Sequence, residues 1–422
     1  MRICLPIGYL PLGTVGGVET YARNLVKAIQ AVDHSNEYFL HCSIANEEAF
    51  PVIAENFKKI ISGKYKPIET AKLKAMAVIG GIIFESGGKS LFMKIVRRSA
   101  ELAVRAAEVL CGPFVNLTGG SQQCDVIHYM FNVFPHEKHY DAPVVLTVVD
   151  IQQEYFPQFF NKESLERRRL TYRVSAEKAD HIIVISEFTK RSLIEKYAIS
   201  GDKISVVYLG HCENFKKMDA RVVSEFRKRH GLPENFIFYP AATWPHKNHI
   251  NLVRAYKILK EKHGIKDKLL LTGIKKQNHA NVETEIERLG LGEYIIHMGY
   301  MPYEDLPLLY NAAGILVFPS LFEGFGIPVV EAMATGLPVA CSNTTSLPEV
   351  AGDAAVVFNP EDPYDIAEKV RMLYDKGLRN ALIGKGFERA RSFTWERTAT
   401  ETLKIYEKVY KEFAEKNTKA RA

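Results

Sequence analysis

Along most of this 422-residue chain, short apolar runs alternate with longer segments whose apolar positions recur every three or four residues. That alternation is the signature of parallel strands joined by helical crossovers, so the fold class is α/β. The first unit is a strand over 1–9, a turn "PLGTVGG", and a helix in which Val18, Tyr21, Ala22, Leu25 and Ile29 share one face. Further strands are expected at Val126–Tyr129, Val144–Val149, His181–Ile185, Phe236–Pro240, Leu269–Thr272, Ile295–Met298, Ile315–Pro319 and Val339–Ser342. A single core stops growing at roughly 250 to 300 residues, so two domains are expected. The stretch "VVYLGHCENFKK" at 206–217 turns from apolar to polar before a second strand-loop-helix series starts at "FIFYPAATWPHKN". The division is therefore drawn as 1–210 and 211–398, followed by a tail of helical period over 399–422.

Composition adds little. The 55 basic and 49 acidic side chains leave a net charge of +6, which suits a phosphate-bearing ligand or an anionic surface but lacks the Lys/Arg blocks of a nucleic-acid arm. Nucleic acid is not expected as a partner. The six cysteines are scattered without a Cys-x-x-Cys pair, so neither a disulfide framework nor a metal site is indicated and the thiols are read as reduced and cytosolic. The amino terminus reads as a strand rather than a signal peptide, and the apolar run at 75–84 is about half a membrane span. A soluble, cytoplasmic protein is expected. The segment over 87–112 combines Leu91, Ile95, Leu102 and Val109 on one helical face with five basic side chains. It fits either a helix lying on an anionic membrane surface or a packed helix with a solvated basic side.

Candidate chemistry concentrates in "PSLFEGFGIPVVEAMATGLPVACSN", residues 319–343. A strand ends there and a helix begins near Pro328 and stops at Gly336, so the intervening backbone N–H groups open beyond the strand's carboxyl end. That is an anion site, and Gly324 and Gly326 let a diphosphate approach the backbone closely. Glu323 and Glu331 flank it. A bare carboxylate would repel phosphate, but its oxygens accept hydrogen bonds from vicinal sugar hydroxyls. Glu331, one turn into the helix, would reach a ribose diol and Glu323 a second sugar. A nucleotide diphosphate sugar carries both. An acidic helix start favoured by the dipole explains either glutamate alone.

The stretch from Tyr303 to Pro360 resembles the donor-binding half of the retaining family 4 glycosyltransferases of GT-B architecture, with their Glu-x7-Glu motif at Glu323 and Glu331. The likeness extends more loosely to "GGVETYARNLVKAI", "ADHIIVISEFTKRSL" and "WPHKN", and covers most of the chain outside about 45–120. It implies two Rossmann-like domains facing across a cleft, the first binding the acceptor and the second the donor, with the tail helix crossing back to the first. By the same resemblance Glu331 holds the ribose and Glu323 the donor sugar. The donor-binding backbone is the run Gly324, Phe325, Gly326 and Ile327, and Gly16 and Gly17 face the donor phosphates. A tight strand-to-helix turn is the simpler use of those two glycines.

Lys247 follows the first strand of the second domain, where an ammonium can stabilise a departing diphosphate. The resemblance implies a basic pair here, yet the expected Arg is replaced by Ala241, with His246, Lys275 or Lys276 available to compensate. A solvated lysine at a helix start is the plain alternative. The stretch "CDVIHYMFNVFPH" resembles the family's Asp-x-x-His-x-His region, with Met130 at the position whose His contacts the donor sugar. His128 survives at the first position as the catalytic candidate, with His136 and His139 nearby, although such a histidine is more often structural or on the surface than catalytic. In "VVDIQQEYFPQFF" a family His-Asp and later His become Val149-Asp150 and Gln153, so the acceptor side departs from the pattern.

No Asp-x-Asp occurs, so no metal and no cofactor are expected. The resemblance implies transfer of a hexosyl unit, with GDP-mannose favoured over a UDP-sugar, to a glycan or lipid-linked glycan, with retention of configuration. Peripheral contact with an anionic inner membrane face would accompany a lipid-linked acceptor. Two other readings share the pattern: a nucleotide-sugar epimerase, which would convert donor without releasing it, and a catalytically silent nucleotide-sugar binder, which would release no nucleotide on adding acceptor.

Overall fold

The computed structural model describes residues 1–10, 17–62, 124–135 and 140–421. Its first sheet contains β1 (Arg2–Pro6), β2 (Glu37–Ser43), β3 (Phe57–Ser62), β4 (Val126–Tyr129), β5 (Val144–Val148), β6 (His181–Val184) and β7 (Ile204–Val206). They lie in the order β3-β2-β1-β4-β5-β6-β7, every pair parallel. The second contains β8 (Phe236–Pro240), β9 (Lys268–Thr272), β10 (Ile295–His297), β11 (Ile315–Phe318), β12 (Val339–Ser342) and β13 (Val356–Phe358), in the parallel order β10-β9-β8-β11-β12-β13. The expected α/β class with two Rossmann-like sheets is observed.

β2, β3, β7 and β13 are not among the strands expected from the sequence. β7 and β13 are only three residues long, β2 buries a histidine, His41, in its middle, and β3 is an edge strand carrying Lys58 and Lys59. Charge on an edge strand discourages pairing with other chains and erases the apolar signal.

Each sheet reverses its strand order once, between β1 and β4 in the first and between β8 and β11 in the second. Ligands of open α/β sheets bind beyond the carboxyl ends of strands at such reversals. The loops after β8 and β11 carry Lys247 and Glu323; the loop after β5, next to β4, carries Asp150.

The chain passes between the sheets twice at one place. His211 bridges Thr394, and a Cβ on Gly210 would meet the Trp395 nitrogen at 2.1 Å, so only glycine fits there. The Trp395–Arg421 helix then packs on the Gly17–Val32 helix and on β4 of the first sheet. A second tie between the halves is the Glu349 carboxylate, which accepts from the Glu187 and Phe188 N–H groups at 2.6 and 3.1 Å. These are the first orphan donors of the Glu187–Tyr197 helix, so an acid of the second half satisfies a helix start of the first.

Cys4 and Cys124 form a disulfide, their Cα atoms 6.0 Å apart, which corrects the expectation of uniformly reduced thiols. They are 120 residues apart in sequence and meet because β1 lies beside β4. Sequence spacing carries no trace of that adjacency. Among the described residues no helix is long and apolar enough to cross a membrane. Gly16, His136, His139 and the 75–84 and 87–112 segments lie outside the described residues.

Candidate functional site

The helix Ile327–Thr335 starts from Gly326, whose φ of +107° only glycine adopts freely, and ends at Gly336 in the left-handed conformation. Pro328 is its second residue rather than its first, one position from the expectation. Side chains brace the loop before it: Ser346 Oγ donates to the Glu323 and Phe325 carbonyls at 2.9 Å each, and Thr345 Oγ1 accepts from the Glu323 N–H at 3.2 Å. The N–H groups of Gly324, Phe325, Gly326 and Ile327 find no acceptor among the described residues. Two of these donors lie in the loop and two at the helix start, where unpaired N–H groups suit an anion. The Phe325 ring itself faces the core, packed on Tyr208 and Phe393, so that residue can offer a ligand its backbone only.

Lys247 reaches this loop from β8. Tyr239 donates its hydroxyl to the Lys247 carbonyl at 2.6 Å, and Asn248, at φ +59°, donates to the Pro319 and Pro360 carbonyls at 3.0 and 2.7 Å. So held, Lys247 Nζ lies 2.5 Å from Glu323 Oε1, and both side chains are largely buried. Two of the three catalytic candidates of the sequence thus touch each other across 76 positions.

Glu331 projects from the buried face of the helix and is 4% exposed. Its carboxylate accepts from the Tyr310 hydroxyl at 2.9 Å and the Tyr303 hydroxyl at 3.2 Å. Burial lifts its pKa from the usual 4.5 to about 7, against the lowering effect of both hydroxyls. Tyr303 also contacts Cys212 Sγ, which donates to Asn24 Oδ1 on the Gly17–Val32 helix. Next to Tyr303 a cleft of about 510 Å³ opens between that helix and the 300–304 loop, lined by Arg23, Asn24, Lys27, Tyr300 and Glu304. Neither tyrosine was anticipated from sequence; both hydroxyls reach Glu331 only through the packing of the Leu306–Ala312 helix and the loop before it.

The other sequence candidates fall elsewhere. Gly17 is the first residue of its helix, and none of the described residues comes within 4 Å of where its Cβ would sit. His128 is fully buried in β4, one ring nitrogen 2.6 Å from the Tyr406 hydroxyl and the other 2.7 Å from Thr147 Oγ1. With both nitrogens hydrogen-bonded, His128 ties the carboxyl-terminal helix to the first sheet, the structural use that the sequence also allowed. Nor does His246 replace the missing arginine charge, because burial holds its pKa down near about 2 and the ring stays neutral. Lys275 faces Glu283 at 3.6 Å, whereas Lys276 sits over the Trp244 ring, 5.3 Å from its centroid, beside the Lys247 loop. No cluster of three or more potential metal-ligating side chains occurs among the described residues.

Across from Glu323 stands the first sheet. A Cβ on Gly324 would lie 2.3 Å from the Val149 carbonyl oxygen and 3.3 Å from Asp150 Cβ, so what that glycine admits is the opposite domain. Phe322 continues the contact, its ring within 5.5 to 6.1 Å of Tyr155, Phe156 and Phe188.

Comparison with known proteins finds family matches in both halves of the chain. The family described as "Glycosyl transferases group 1" matches residues 222–389, and "Glycosyltransferase Family 4" matches 115–211. The O-antigen chain mannosyltransferase B of Escherichia coli is 31% identical over 264 residues, covering 62% of this chain and 69% of that protein. The serotype-specific mannosyltransferase WbdA of Escherichia coli is 32% identical over 228 residues, 53% of this chain but 28% of its own greater length. Among solved structures, the sucrose-phosphate synthase of Thermosynechococcus elongatus superposes with a TM-score of 0.70 at 20% identity, covering 98% of this chain and all of that one.

Proposed function

The chain belongs to the group 1, family 4 glycosyltransferases of GT-B architecture, and from that premise we propose that it moves a mannosyl unit from GDP-mannose to a hydroxyl of a glycan or lipid-linked glycan, with retention of configuration. The observation that carries this reading is the Lys247–Glu323 pair set beside four unpaired N–H groups that run from the loop into the start of the helix bearing Glu331. The diphosphate takes those N–H groups and the positive end of the helix. Glu331 accepts from the ribose hydroxyls, and the nucleoside extends past Tyr303 into the cleft toward Arg23 and Lys27. Donor entry parts the ion pair: the ammonium of Lys247 turns to the diphosphate and the freed Glu323 carboxylate accepts from the hydroxyls of the sugar.

In the reaction the bond between the anomeric carbon and the diphosphate oxygen breaks with its electron pair leaving on the diphosphate. The acceptor oxygen bonds to the same face of that carbon, and its proton passes to the departing oxygen. Catalysis rests on positioning and on stabilising the leaving charge by Lys247 and the N–H cradle, with no metal required by the proposal. Mannose is favoured by the mannosyltransferase relatives, and GDP-mannose over a UDP-sugar by the resemblance carried in "ATWPHKNH" and "DIQQEYFPQFF". Contact of the 87–112 segment with an anionic bilayer is part of the same proposal and rests on its sequence pattern; flotation with anionic and neutral liposomes tests it, and binding to neither removes it.

Thermal unfolding across GDP-, UDP- and ADP-sugars tests the donor, because a ligand bound only by the folded state raises the melting temperature. GDP-mannose is expected to give the largest rise, and proton NMR of the product of transfer to octyl α-mannoside to show retained configuration. Stabilisation by a UDP-sugar alone would replace the donor assignment. An inverted product would remove the front-face path.

A further inference from the structure

Asp150 lies at the carboxyl end of the first sheet's central strands, two residues past β5, directly against the loop that presents Glu323. Its main chain is pinned by Asn132, which accepts from the Val149 N–H at 2.9 Å and donates to the Asp150 carbonyl at 3.0 Å. The Asp150 carboxylate accepts from the Gln152 N–H at 3.1 Å. Burial pushes its pKa above the ordinary range, Arg168 and Lys247 pull it down, and Glu323 pushes it up, so the charges of the second domain's pair are felt at this acid. Immediately after it, Gln152 Nε2 and Gln153 Oε1 are buried without a hydrogen-bond partner. Unpaired buried polar atoms are rare in native structures and mark places where a ligand or water completes the network. Beyond them Tyr155 and Phe156 meet Phe322, and Phe156 stacks on Phe159 at 5.2 Å, giving a half-buried aromatic wall next to the acid. An aromatic face beside a carboxylate suits a sugar, whose C–H face packs on the ring while its hydroxyls donate to the oxygens.

We propose that Asp150 is the acceptor-side carboxylate of the reaction centre, accepting a hydrogen bond from the attacking hydroxyl and holding it against the donor sugar opposite Glu323 and Lys247. The inference rests on the glycosyl-transfer reading above and adds to it the residue that orients the acceptor. The proton of the hydroxyl ends on the departing diphosphate oxygen as the new glycosidic bond forms, so Asp150 takes no net proton in the step.

The structural alternative is that Asp150 serves only to cap the turn at Gln152. Asp150→Asn separates the two, because the asparagine carbonyl still accepts from the Gln152 N–H while the charge is gone. Wild type and D150N are compared for GDP-mannose affinity, for transfer from GDP-mannose to octyl α-mannoside, and for GDP release without acceptor, in which water takes the acceptor's place. Expected are an unchanged GDP-mannose Kd and melting temperature, with transfer and acceptor-free release both reduced by about 100-fold or more. Wild-type rates in D150N overturn the inference and leave the glycosyl-transfer reading intact. Loss of donor affinity together with transfer assigns Asp150 to structure alone. If the wild-type protein neither binds nor turns over GDP-mannose, the donor reading fails first and this inference with it.

Discussion

The ammonium of Lys247 and the carboxylate of Glu323 stand 2.5 Å apart, with side-chain exposures of 19% and 13%. Removing one partner of so sheltered a pair strands the other charge, which costs about 3 to 5 kcal/mol when burial is complete, whereas replacing both is far milder. Lys247→Met and Glu323→Gln are each expected to lower stability more than the double variant does. All three should lose about 100-fold or more in kcat. Denaturant unfolding with a double-mutant cycle checks the first expectation and steady-state transfer the second. Additive stability losses would mean the pair is not formed in solution.

His128 is a second case in which structure and chemistry separate. Its ring is neutral in the fold, burial having lowered its pKa from 6.5 to about 3. The unfolded chain therefore binds an extra proton across that window, so the contribution is fully present above about 6.5 and drains away as pH falls toward 3. His128→Ala is expected to cost about 2 to 4 kcal/mol at neutral pH by opening a cavity and unpairing Tyr406 and Thr147. GDP-mannose affinity should be unchanged and the acid sensitivity weaker. A variant of normal stability that has lost donor binding would return His128 to the substrate.

Glu331 titrates in the opposite sense. Its pKa is raised from 4.5 to about 7, so the folded protein binds a proton the unfolded chain has released, and this group's stability contribution is lost as pH rises through about 7. On the proposed reading the ribose needs the ionised acceptor, so GDP affinity should rise between pH 6 and 8 while the ligand-free protein becomes slightly less stable. In Glu331→Gln the part of that affinity slope not due to the nucleotide's own phosphate should vanish. Isothermal titration at three pH values reads it, and an identical slope in both proteins removes Glu331 from the ribose.

Gly324 tests the contact between the domains. Its missing Cβ is where the Val149 carbonyl sits, and a main-chain oxygen cannot swing aside as a side chain can. Gly324→Ala is expected to hold the cleft apart, enlarging the radius of gyration in X-ray scattering and reducing transfer about 100-fold, with smaller loss of donor affinity. An unaltered scattering curve with full activity would show that the approach seen here is not required.

What the sequence determined was everything that depends on neighbours along the chain. The alternation of apolar runs predicted parallel sheets, and glycines around "FEGFGIPVVEAMATG" marked the helix start and its left-handed stop, because strand period, helix period and capping are local physics. Lys247, Glu323 and Glu331 could be picked out for the same reason, each having a recognisable place beside a strand end or helix turn. Partners were decided by tertiary structure alone. That Lys247 meets Glu323, that Tyr303 and Tyr310 occupy Glu331, that His128 is consumed by Tyr406 278 positions away, and that Cys4 finds Cys124 all follow from strand order and from the return of the carboxyl-terminal helix. Asp150 and Gly324 meet in the same way, two domains brought to van der Waals contact. Such contacts are fixed by packing between segments far apart in the chain, and no periodicity within one segment encodes which distant segment will face it.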